Sequence, residues 1–181
     1  MEKALSNFLS KLNWRLIVVH FAACWLFIYA FELFSYLHDV TFWTTVLNHS
    51  RTWLENWKNW NFDASRLTLN LYWLYLSGFV GFLVAFSISL TISIRRHWHW
   101  INAIIVFVII CILGKFDLLG WPYLKSIFLA PGSPFSYSSL WYSLINGSVM
   151  LTIGLLLFFS RKSVRFVNPA TLATTAEDME N

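Results

Sequence analysis

Three side chains able to hold a proton or a hydrogen bond stand far inside uncharged apolar runs: Glu32, Lys115 and Asn146. Counted at a helical rise of roughly 1.5 Å per residue from Arg15, His99 and Arg161, they lie about 25, 24 and 22 Å in. Gly78, counted from Arg95, falls at about 25 Å. An acid, a base, an amide and a gap thus share one level. Charges in hydrocarbon are costly and take partners, so the spacing predicts an ion pair between Glu32 and Lys115 that sets helix order. The alternative is a substrate, ion or proton site in the same layer, or Lys115 snorkelling to the surface while Glu32 stays protonated. A second polar layer, nearer the opposite boundary, gathers His20, Ser89 to Ser93 and Asn102.

The elements that must carry these groups are long apolar helices. Leu67 to Ile94 contains no charge and is closed by Arg66 and by Arg95-Arg96. Its length, about 40 Å as a helix, exceeds the roughly 30 Å of a bilayer core. Ser77, Gly81, Ala85, Ser89 and Ser93 recur every fourth residue and form one row of small side chains. Small rows let helix backbones approach closely in lipid, so this helix is expected to be the spine of the bundle, with Phe82 on a different face. The remaining spans are read at 16–37, 100–119 and 140–160, the present one at 69–94. The third has only 15 uncharged residues from Trp100 to Gly114 and must continue past Lys115 to cross. A short helix with Pro122 in its first turn precedes the Ala130-Pro-Gly-Ser-Pro134 break. Ser138 or Ser139 is expected to cap the last span.

The fold class that follows is an all-α integral membrane protein, a bundle of four transmembrane helices with an amphipathic interfacial helix in the first loop. That helix is read over residues 42–60, where Trp43, Trp53, Trp57 and Trp60 share a stripe suited to the headgroup layer. The same stripe, capping the bundle or meeting a partner protein, is the alternative. Residues 1–15 form a basic head and residues 161–181 a polar tail. The first apolar run is too long for a signal core and has no cleavage site after it, so it is expected to remain.

Composition supports this class. Apolar residues make up 57% of the 181 and charged ones 12%, with mean hydropathy +0.57, which argues against disorder or an ordinary soluble domain. The net charge of +4 does not form a nucleic-acid patch, because the basic residues flank apolar runs. Lys3, Lys11, Arg15, Arg95, Arg96, Arg161, Lys162 and Arg165 fall on one side of four spans and five basic residues on the other. The positive-inside rule then puts both termini in the cytoplasm, most simply of a bacterial inner membrane.

No catalytic motif is present: no Gly-rich phosphate loop, HExxH or GxSxG, and Cys24 and Cys111 lie in different spans. His97 and His99 flank Trp98 at a boundary where solvated histidines are ordinary, so neither metal nor cofactor is expected. Asn168-Pro169-Ala170 resembles the box of water channels, but those use two copies inside half-helices and this one follows the last span. The layout resembles small four-span families such as the DoxX-like proteins in topology alone, and assigns no residue a role. The expected function is a non-enzymatic accessory or partner-binding membrane subunit, in contact with the bilayer and with a membrane protein or a second copy. The alternatives are an oligomeric channel or small transporter using the outer polar layer, and a redox or lipid enzyme with a borrowed cofactor.

Overall fold

The computed structural model describes residues 12–48, 64–115 and 122–167. All elements among them are helical: α1 Trp14–Ser35, α2 Val40–Asn48, α3 Ala64–Arg95, α4 Ile101–Lys115, α5 Pro122–Leu129, α6 Ser139–Phe159 and α7 Arg161–Val167. Short 3-10 turns cover Tyr36–His38 and Ala130–Phe135. Among the described residues, three stretches are long and apolar enough to cross a membrane: Trp14–His38, Ala64–Arg95 and Ser139–Phe159.

The fourth expected span is described in part. α4 covers Ile101–Lys115, 15 residues, about 22 Å of helix. The residues expected to extend it to 119 lie outside those described, as do residues 1–11 of the basic head and the stripe positions Trp53, Trp57 and Trp60.

Helix ends follow local chemistry. Asn13 caps α1 by accepting the Leu16 amide at 3.1 Å. Asp39 caps α2, its Oδ1 accepting the Phe42 amide at 3.1 Å. α3 closes in a Schellman turn: the Trp98 amide donates to Ser93 O at 2.8 Å and the His97 amide to Ile94 O at 3.2 Å. His97 takes the left-handed position of that turn, φ 53°. Ser139 does not cap α6 with its own side chain. Its hydroxyl donates to Val40 O at 2.8 Å and its amide to Thr44 Oγ1 at 3.0 Å, which ties α2 to the start of α6.

The described residues fall into two units. The first takes residues 12–25, 85–115 and 153–167, the second 26–48, 64–84 and 122–152. In the first, Asn13 binds two elements at once: its amide donates to Asn102 Oδ1 at 2.9 Å and its Nδ2 to Val167 O at 3.0 Å. The part of the expected tail that is described is therefore the docked helix α7, with Val167 buried. In the second unit, α1 and α3 approach until a Cβ on Gly81 would lie 2.7 Å from Phe27 O.

α1 is more enclosed than α3. The apolar window of α1 is 72% buried, that of α3 39%. Ala23 to Ala30 form an unbroken buried run, as expected of a helix apolar all round. α3 buries one face only, and Tyr72, Tyr75, Phe79 and Leu83 stand exposed on the others. That buried face is wider than the small row. Phe82 belongs to it at 6% exposure, along with Gly78, Gly81 and Ala85. A contact stripe on a globular helix spans 100° or so, and residues adjacent to the row fall within it.

Candidate functional site

Glu32 opens onto a cavity of about 70 Å³ inside the second unit, lined by Tyr29, Leu33, Tyr36, Lys125, Leu129, Tyr142 and Met150 as well. α1 supplies Tyr29, Glu32 and Leu33, and the turn that follows supplies Tyr36. Spacings of three, four and seven residues put these on one helical face. α5 supplies Lys125 and Leu129, one turn apart. α6 supplies Tyr142 and Met150.

The cavity lining contains an acid and a base. Lys125 holds its Nζ 3.8 Å from the centre of the Tyr29 ring, within cation–π range. Tyr36 is fixed on its other side by Trp43, the rings stacked with centroids 4.2 Å apart and 13° between planes. Glu32 rests against α3 at Gly78, where a Cβ would come within 3.0 Å of Oε1. Ser35 Oγ donates to Glu32 O at 2.6 Å, which tightens the end of α1 just past the carboxylate. One carboxylate, one ammonium and three phenols around a cavity of this size can hold several waters, a small ion or the polar end of a larger molecule.

Of the expected outer layer, Glu32 and Asn146 belong to the second unit and Lys115 to the first. Lys115 is exposed at the end of α4 and does not line this cavity; Lys125 does. Asn146 is fully buried on α6 but turns to the Ala130–Phe135 turn, accepting the Gly132 amide on Oδ1 at 2.8 Å. Its Nδ2 is buried without a partner. Trp43, expected in the headgroup layer, is 7% exposed. The physical reason is the stack on Tyr36 and the edge contact with Phe42 at 5.1 Å, which bury its ring area inside the protein. Lys125, Tyr29, Tyr36 and Tyr142 were not singled out by sequence reasoning. The 29–32–36 spacing was a readable signal; the contributions of α5 and α6 were not.

The inner layer lies in the first unit. His20 Nδ1 and Ser89 Oγ share a hydrogen bond of 2.7 Å, both groups buried. The His20 ring meets Phe158 edge-on at 5.2 Å and Trp98 at 6.1 Å. Asn102 is occupied by Asn13 and by His99 O, to which its Nδ2 donates at 2.9 Å. Of the small row, Ser77 is partly exposed in the second unit, whereas Ala85, Ser89 and Ser93 are fully buried in the first.

A second charged group closes the loop after α1. Arg66 grips Asp39 with both nitrogens, Nε to Oδ2 at 2.6 Å and Nη2 to Oδ1 at 2.7 Å. Asn70 Nδ2 adds a bond to Oδ2 at 3.2 Å. The Arg66 hydrogen bonds hold the Asp39 carboxyl far below the usual carboxylate range, against a smaller opposing effect of burial; the Phe42 amide, Asn70 and Thr41 assist. This group reads as structural, because the Asp39 carboxylate caps α2 with Oδ1 and is tied to α3 by Arg66 and Asn70.

No protein-family model, curated protein or solved structure matches the chain.

Proposed function

We propose that the chain is a four-span membrane protein with both termini in the cytoplasm, and that it works as a non-enzymatic binding subunit through the Glu32–Lys125 cavity. The membrane reading is supported by the three long apolar helices and by the exposed large apolar side chains of α3. The basic residues that cluster around Arg15, Arg95-Arg96 and Arg161-Lys162 support the orientation. α4, together with residues 116–119, is the fourth span in this reading.

The observation that carries the function is the acid–base pair facing one small cavity among apolar helices. Ionisable groups at such depth mark ligand, ion or proton sites by default. The cavity is far smaller than the several hundred Å³ of a drug-sized pocket, so its occupant is a small polar or charged group presented by a partner or substrate. The same pairing favours a second reading, a small transporter or oligomeric channel in which Glu32 and Lys125 exchange a proton or hold an ion. Both readings use the same site.

A double-mutant cycle on Glu32→Gln and Lys125→Met tests the site, read on thermal stability in detergent and on what co-purifies by native mass analysis. Under the binding reading, Glu32→Gln keeps its fold and loses the co-purifying species, and the double change does not restore it. If the pair is purely structural, each single change costs on the order of 3–5 kcal/mol and the double change recovers most of it. That second pattern, with co-purification unaffected, sinks the proposal. Lys115→Met is the comparison, since the pairing expected from depth alone would make Lys115 the partner that couples to Glu32.

A further inference from the structure

The first unit carries basic residues and, among the described residues, no Asp or Glu. Its cations are accommodated by rings and carbonyls instead. Arg15 lies over the Phe166 ring at 5.4 Å and donates to Phe166 O at 3.3 Å. Arg96 lies over Trp98 at 5.2 Å. Arg95, Arg161 and Lys162 are exposed.

One of those cations, Arg95, lines an open groove of about 290 Å³ together with Ser87, Ile88, Thr91, Ile92 and Phe159. Five of the six come from one face of α3 and run for about 12 Å along the helix. The walls are mainly apolar. Thr91 donates its hydroxyl to Ser87 O at 2.8 Å, so its polar atom is satisfied within the helix. Phe159, 55% exposed, closes the side. The chain then turns at Ser160, whose Oγ accepts the Ser163 amide at 3.1 Å, and Arg161 and Lys162 follow in the first turn of α7. An apolar trough with a cation in its lining, two more exposed cations following its Phe159 wall in the chain and no carboxylate among the described residues of the unit is complementary to a lipid with a negative head.

We propose that this groove holds one anionic phospholipid. An acyl chain lies along Ile88, Ile92 and Phe159, and the phosphate is received by Arg95 with Arg161 and Lys162. Clusters of basic side chains at the end of a membrane helix attract anionic headgroups, and guanidinium fits phosphate in two-pronged fashion. The groove shares no lining residue with the Glu32 cavity; the lipid reading rests on the membrane reading above and not on the role of that cavity.

The test uses the full chain in mild detergent, incubated with phosphatidylglycerol or with phosphatidylcholine and read by native mass spectrometry. Phosphatidylglycerol is expected to be retained several-fold more than phosphatidylcholine. The triple change Arg95→Gln, Arg161→Gln and Lys162→Gln should bring it down to the phosphatidylcholine level. Thr91→Trp, which fills the groove from an exposed position, should lower retention of both lipids. Lys115→Gln, a basic residue of the same unit that does not line the groove, should leave the preference intact. Helical circular dichroism confirms that each variant is folded. Equal retention of the two lipids would overturn the proposal. So would an undiminished preference in the folded triple variant, an equal loss in Lys115→Gln, or a lipid-free dimer showing that a second copy fills the groove.

Discussion

The Glu32 carboxylate lies against the bare backbone of Gly78, so close that a methyl group there would sit 3.0 Å from Oε1. Gly81, one turn further along α3, faces the backbone oxygen of Phe27 at 2.7 Å by the same measure. The two glycines make the same helix crossing, yet their neighbours differ. One faces the movable end of a side chain beside a cavity, the other a fixed carbonyl. Gly78→Ala should therefore be near neutral in stability, because Glu32 can swing into the cavity and alanine favours helix by about 1 kcal/mol. Gly81→Ala should be destabilising, since overpacking against backbone typically costs about 1–3 kcal/mol and outweighs that gain. Thermal melts of both variants in detergent check this, and equal melting temperatures would contradict the assigned contacts.

Asp39 joins α2 to α3 only while ionised. Its folded pKa is depressed, chiefly by the Arg66 hydrogen bonds. The sign follows from linkage: the contribution is complete above the ordinary Asp pKa of about 3.9 and drains away as pH falls below it toward the folded value. The Asp39 contribution should hold flat around neutrality and decline below about pH 4. Asp39→Ala should remove that decline and cost on the order of 1 kcal/mol, mostly the lost cap of α2, because an ion pair this open to solvent contributes little. Urea titrations of both proteins across pH 3 to 7 measure it, and an unchanged acid slope in the variant would place the acid sensitivity elsewhere.

His97 occupies the left-handed position of the turn between α3 and α4, φ 53°. Residues with a Cβ pay about 1–2 kcal/mol there relative to glycine. His97→Gly should accordingly raise stability, by somewhat less than that because glycine also gains freedom in the unfolded chain. His97→Val should lower it, since a β-branched side chain tolerates positive φ worst. Denaturant midpoints rank the three proteins, and the order Gly, His, Val is the expected one.

Sequence alone determined what rests on local composition. Three runs of apolar residues long enough to span a bilayer, the break at 130–134, and a helix beginning at Pro122 are written in consecutive residues, because helix length, turn residues and charge boundaries need no distant partner. The polarity of Glu32, His20 and Asn146 was equally plain. Which groups meet was not. Depth counting gives one coordinate along the helix axis and leaves rotation and neighbour order open, so Lys115 looked as suitable for Glu32 as Lys125 does in space. The small row of α3 marked a close contact at Gly81 but not that α1 is the enclosed helix, since burial depends on how many neighbours surround a helix and not on its own pattern. Trp43 shows the same limit. An indole in a Trp-rich stripe suits the headgroup layer by its chemistry, and only the arrival of Tyr36 across a tight turn, 4.2 Å away, decides that its ring is buried instead.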